Sequence, residues 1–171
     1  MFHPNVVKLT NACNLVFLID NTYKTNKYKL SLLDIVGVTP IRMTFSIAFA
    51  YLEGERLNNV VWALQRFQSL FLRRDILPGV IITDRDLALM NAVKIVFLEA
   101  TNLLCWFHID KNVKAKYKTL EAWESLVDCP SEQEFHECLK KFEIACSPWP
   151  MFVDYVNQTW LIPHRERFVK A

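Results

Sequence analysis

Along the chain the apolar positions switch between a two-residue period and a three-to-four-residue period, and the switches predict the elements. Residues 14–20 are apolar on both faces, as in a central strand, and the run stops at Asp20. Residues 21–26 are turn-rich, residues 30–38 read as a second strand, and Thr39-Pro40 turns the chain. From Ile41 to Tyr51 apolar residues alternate with Arg42, Thr44 and Ser46, the pattern of a strand with one wetter face. Leu57, Val60, Val61, Leu64, Phe67 and Phe71 then repeat at helical spacing, with Glu53 and Glu55 ahead of the helix's positive end and Pro78-Gly79 as its break. A buried strand over 79–83 ends at Asp84, and a helix over 87–97 follows, with Asp86 as its cap. Residues 101–105 form a short strand, and a helix runs from Trp106 to about Leu120. Beyond it the strands stop. Ser131-Glu132-Gln133-Glu134 is a capping box for an amphipathic helix, and an apolar helix from Met151 to Leu161 is ended by Pro163. Residues 1–13 carry little signal and read as an N-terminal extension.

This order, β-β-β-α-β-α-β-α, predicts an α/β fold. Strands joined by short turns make an antiparallel meander, and helical crossovers then add parallel strands. The compact solution sets strand 79–83 beside strand 14–20, pointing the same way. Asp20 and Asp84 then meet at the carboxyl ends of neighbouring strands, where open α/β sheets form their sites.

Composition narrows this reading. A hydrophobic fraction of 52% over 171 residues supports a sizeable core in one domain with a helical appendage. A net charge of +2 gives no global field for nucleic acid, so any such contact is local. Five cysteines without paired spacing, and no signal peptide, predict free thiols in a reducing compartment. No apolar run is long enough to span a membrane.

Each candidate group has a plainer alternative. Asp20 and Asp84 side by side repel, and Mg²⁺ or Mn²⁺ relieves that repulsion; taken singly, one aspartate opens a turn and the other starts a helix. Cys105 and His108 are two zinc-type ligands, too few for a zinc centre, and read more readily as a buried thiol and a hydrogen-bonded imidazole. Lys111, Lys114 and Lys118 project from one helix face, toward phosphate or simply toward water. Trp123, Trp149 and Trp160 are more often core than base-stacking platforms.

The stretch Ile19-Asp20-Asn21-Thr22-Tyr23-Lys24-Thr25-Asn26-Lys27-Tyr28 resembles the first acidic motif of Mutator-like element (MULE) transposases of the plant type. Thr83-Asp84-Arg85-Asp86-Leu87-Ala88-Leu89-Met90-Asn91-Ala92 is similar to their second, and Cys105-Trp106-Phe107-His108 matches the cysteine–histidine signature that follows. The family includes the far-red-impaired-response proteins, which look like domesticated transposases. The resemblance implies a ribonuclease-H-like core (a mixed five-stranded sheet flanked by helices) over 14–118. It implies a C-terminal helical insertion over 119–171, cut short. It also implies DDE chemistry, DNA cleavage and strand transfer, with Mg²⁺ or Mn²⁺ at Asp20 and Asp84. Cys105 and His108 are then a structural signature, Lys111, Lys114 and Lys118 DNA contacts, DNA a partner through the complete protein, a homo-oligomer the assembly, and the nucleus the location. Two departures stand out: Leu98 occupies a position where the family usually has proline, and the third acid, a glutamate in an Asn-Arg-x-Glu-Ser-like motif, does not occur before Ala171. Glu143 and Glu166 are late alternatives outside that context. The resemblance therefore implies a catalytic domain inactive over these residues, with a domesticated nuclear DNA-binding or regulatory module as the alternative.

Overall fold

The computed structural model describes residues 3–22, 27–116, 121–129 and 131–169. The chain divides into two compact units, Met1–Cys105 and Trp106–Ala171.

The first unit is a twisted sheet with helices. Its strands are β1 (Val16–Thr22), β2 (Ser31–Val38), β3 (Thr44–Leu52), β4 (Val80–Thr83) and β5 (Thr101–Cys105), lying in the order β3-β2-β1-β4-β5. β1–β2 and β2–β3 are antiparallel, whereas β1–β4 and β4–β5 are parallel. A meander extended by parallel crossover strands is the ribonuclease-H-like arrangement, and each predicted strand of this unit is present within a few residues of its expected ends.

The helices are α1 (Pro4–Ala12), α2 (Leu57–Gln68) and α3 (Leu87–Val96). α2 and α3 bury Val60, Ala63, Leu64, Phe67, Leu89, Ala92 and Val93 against Phe17, Ile19, Leu33 and Ile35 of the sheet. Phe67 sits at the centre of an aromatic cluster, its ring centroid 5.2 Å from Phe17, 5.3 Å from Phe71 and 5.6 Å from Phe97. The Gln68 side-chain amide donates to the Val96 carbonyl at 2.7 Å and ties the end of α2 to the end of α3.

Several local expectations are corrected. α2 ends at Gln68, well before Pro78-Gly79, because the chain turns there to bring Phe71 back onto Phe17 at 5.8 Å. Glu55, directly before the α2 N-cap Arg56, also accepts a hydrogen bond from the Ser31 hydroxyl at 3.0 Å. The segment read as featureless is helix α1. Thr10 is its one fully buried residue, and Val6 and Val7 pack partly buried against the core of the unit. A polar anchor adds to that packing: the Asn11 side chain donates to the Leu70 carbonyl at 2.9 Å and accepts from the Leu72 N–H at 2.9 Å.

The second unit is helical: α4 (Trp106–Lys116), α5 (Glu121–Val127), α6 (Glu132–Ala145) and α7 (Pro150–Val156). Its core is aromatic. Trp106 stacks on Trp123 at 5.6 Å, and Phe142 meets Trp123 at 6.3 Å and Phe152 at 6.0 Å. The Ser131 hydroxyl accepts from the Glu134 N–H at 3.2 Å, so the expected cap of α6 is formed. Pro163 does not stop the chain's helical course, which continues through His164. A π-turn over Asn157–Leu161 precedes it, in which the Ile162 N–H reaches back to the Asn157 carbonyl. The ladder is already shifted where the proline would break it. The unit closes with a two-residue strand, Phe168–Val169, where no strand was expected.

Candidate metal centre

The register of the parallel pair builds the candidate site. Val16 lies beside Val80, Phe17 beside Ile81, Leu18 beside Ile82 and Ile19 beside Thr83. The next residue on each strand is an aspartate: Asp84 directly after β4, and Asp20 within β1, which runs on to Thr22 rather than stopping at the acid. Both are partly buried. They arrive there because apolar runs commit both strands to the interior and the α2 crossover makes them parallel.

The Asp84 segment is held from two sides. The Asp86 N–H donates to Asp84 Oδ1 at 3.3 Å, while Asp86 Oδ1 accepts from the Leu89 N–H at 2.6 Å as the cap of α3. On β5, buried Asn102 donates through Nδ2 to Thr83 Oγ1 at 3.2 Å and to the Ile81 carbonyl at 3.1 Å. Asn102 thus fixes the residue next to Asp84, a role no sequence motif signals.

A further acid joins the row. Asp34 on β2 lies directly opposite Asp20, and such pairs project from the same sheet face. Its Oδ1 is buried without a hydrogen-bond donor among the described residues. Burial first, and the Asp20 charge second, push the Asp34 carboxyl above its usual range, against an opposing backbone hydrogen bond from Ile35. The sequence held a signal for it, an acid inside an apolar strand facing β1 across a turn. A lone strand aspartate nevertheless reads as an outward-facing polar residue.

The shift has a consequence for stability. A folded pKa above the unfolded one, about 3.9, means the fold disfavours ionised Asp34. Stability is complete below the unfolded pKa and falls as pH rises through the folded pKa. In EDTA, Asp34→Asn should therefore be more stable than the parent near pH ~7 and equal to it near pH ~3. Urea denaturation at both pH values measures this, and a variant destabilised at neutral pH would contradict it.

The remaining candidates are placed as follows. Cys105 ends β5, and His108 lies in the first turn of α4. Lys111 is exposed. Lys114 pairs with Asp110 at 2.8 Å and Glu124 at 3.3 Å, and the Asp110 hydrogen bond is the main reason its ammonium holds its proton above the usual range. Lys118 lies outside the described residues. Glu143 and Glu166 are exposed residues of the second unit. Trp123 and Trp160 are buried. Among the described residues, no three His, Cys, Asp or Glu side chains cluster closely enough to hold a metal ion by themselves. No described helix is long and apolar enough to cross a membrane.

The chain is similar to known proteins over most of its length. It is 26% identical over 149 residues to Protein FAR1-RELATED SEQUENCE 6 of Arabidopsis thaliana, covering 85% of this chain and 20% of that protein. Protein FAR1-RELATED SEQUENCE 5 of the same plant is 26% identical over 125 residues, 72% of this chain and 15% of that protein. A 30% identical stretch of 129 residues, 75% of this chain, lies in the PKS-NRPS hybrid synthetase cheA of Chaetomium globosum and is 3% of that protein. The chain spans a fifth or less of these relatives. The catalytic core domain of HTLV-2 integrase, solved with magnesium in a dimeric form, superposes with a TM-score of 0.38 at 14% identity, covering 91% of this chain and 94% of that one. The model of the MULE transposase domain matches residues 16–112, more than half of the chain and the span that carries both aspartates, Cys105 and His108. The chain belongs to the MULE transposase domain family.

Proposed function

We propose that this chain is the catalytic-core part of a DDE-type transposase, with Asp20 and Asp84 holding Mg²⁺ or Mn²⁺ for DNA cleavage and strand transfer. The observation that carries this reading is the Ile19–Thr83 register, after which both strands continue into an aspartate. The donor set fits such an ion. Every candidate ligand is a carboxylate oxygen, the preference of a hard divalent cation. The Asp20 charge that faces Asp34 is also what a cation relieves. Bound there, the cation supplies an activated water and charge stabilisation at phosphate. The chain's own residues do the positioning: Asn102 and Asp86 hold the Asp84 segment, and β2 backs Asp20 with a second acid. Residues 14–118 are the core, and 119–171 begin the helical insertion. DNA, a homo-oligomeric assembly and a nuclear location belong to the complete protein. A second reading, a transposase-derived nuclear DNA-binding or regulatory module, is favoured by the similarity to the FAR1-related proteins.

The test is Mn²⁺ titration of EDTA-treated protein followed by electron paramagnetic resonance. The parent should bind the ion, and Asp20→Asn or Asp84→Asn should each weaken binding ~10-fold or more. Equal binding by the parent and both variants would remove the site.

A further inference from the structure

The acid row does not end at Asp34. Asp34 pairs with Phe49 on β3, so Asp20, Asp34 and Phe49 form one cross-strand line on a single sheet face. The next line on that face runs Thr22, Leu32, Tyr51. Both aromatic side chains are open to solvent, Phe49 60% and Tyr51 61% exposed. Strands lie ~4.8 Å apart, which sets Phe49 about 10 Å from Asp20 along the row. A nucleotide or two of an extended strand covers such a distance. The same end of the sheet, where β1 finishes and β2 begins, carries Lys27, Tyr28 and Lys29. Tyr28 is 70% exposed with the Lys27 ammonium 4.8 Å from its ring centroid, and Lys29 is exposed.

Phe49 and Tyr51, two positions apart on β3, set two exposed rings beside each other on this face. Aromatic faces interleaved with cations are the chemistry of single-stranded nucleic acid, where rings stack bases and cations track the backbone. Duplex DNA offers no free base faces. We infer that Phe49 and Tyr51 form a stacking platform for unpaired bases of the DNA strand, one or two nucleotides from the bond presented to Asp20 and Asp84. This rests on the metal-centre reading above and adds a substrate class to it: DNA with an unpaired segment beside the reacting phosphate. Phe49 and Tyr51 are positioning residues; they touch bases, not the reacting atoms.

The experiment uses residues 1–171, a short single-stranded oligonucleotide containing 2-aminopurine, and its duplex. Binding of the single strand should quench the 2-aminopurine. Phe49→Ala with Tyr51→Ala should weaken single-strand binding ~10-fold or more and leave duplex binding within about twofold. Phe49→Tyr with Tyr51→Phe, which keeps the rings, should restore it. Unchanged affinity in the alanine variant overturns the inference. Should that variant not fold, a 5-iodouracil oligonucleotide is photocrosslinked to the parent and the adducts mapped by mass spectrometry. Adducts on Phe49, Tyr51 or Tyr28 support the platform. Adducts elsewhere overturn it, as does burial of these rings by self-association without adducts. Failure of the metal-centre reading is separately visible: Asp20→Asn would then leave Mn²⁺ binding untouched, whatever the quenching shows.

Discussion

Residues 1–171 will neither nick nor join terminal-repeat DNA, in Mg²⁺ or in Mn²⁺. Two aspartates can hold a cation, but two-metal chemistry needs enough oxygen ligands to fix an ion on each side of the scissile phosphate. The resemblance expects the missing ligand from a glutamate that this stretch does not contain in its motif. Asp34 is no substitute: it stands on the β2 side of Asp20, away from Asp84, which lies on the β4 side. An ion misplaced by ~1 Å costs ~10²-fold in rate. A net charge of +2 adds little non-specific affinity in compensation. Nicking and strand-transfer assays decide the matter. Metal-dependent cleavage by these residues, abolished by Asp84→Ala, would overturn the expectation. Activity that returns only when the chain is extended through a downstream glutamate would support it.

Phe67→Ala should cost the first unit ~3–5 kcal/mol. The ring is 1% exposed and lies edge-on or tilted to three other phenylalanines. Its loss removes the group that joins β1 to α2, to the turn after α2 and to the end of α3. None of these neighbours can fill the void alone, since each is held by its own backbone. At ~2–4 °C per kcal/mol for a chain of this size, the midpoint of thermal unfolding should fall by roughly 10 °C. Trp62→Ala on the same helix removes a larger ring that is 52% exposed, and should change stability far less. Thermal melts of both variants make the comparison; equal losses would mean the aromatic cluster is not the centre of this core.

The strands of the first unit were legible because their apolar runs have few other uses. The parallel pairing of β1 and β4 followed from the α2 crossover, and with it the side-by-side entry of Asp20 and Asp84. Much of what escaped the sequence around the site shares one physical cause, polar groups whose partners are remote. Asn11 fastens α1 across 59 positions to Leu70, Asn102 reaches 19 positions back to Thr83, and Asp34 matters only because Asp20 faces it. Lys114 shows the converse, since a lysine stripe on α4 looks available to phosphate until Asp110 and Glu124 are seen to occupy one of its members. Pro163 misled because the rule that proline ends a helix assumes an unshifted ladder, and the π-turn shifts it.

That π-turn also bears on how the chain should be aligned. A helix with one i→i+5 turn holds one residue more than the straight helix joining the same two points. Residues 157–161 are therefore a natural place for a single-residue gap between relatives. Spacing counted across them, from the Ser131 cap to any acid further on, will drift by one among sequences with and without the extra residue. A downstream glutamate should be matched by the residues around it, not by its distance from Asp84.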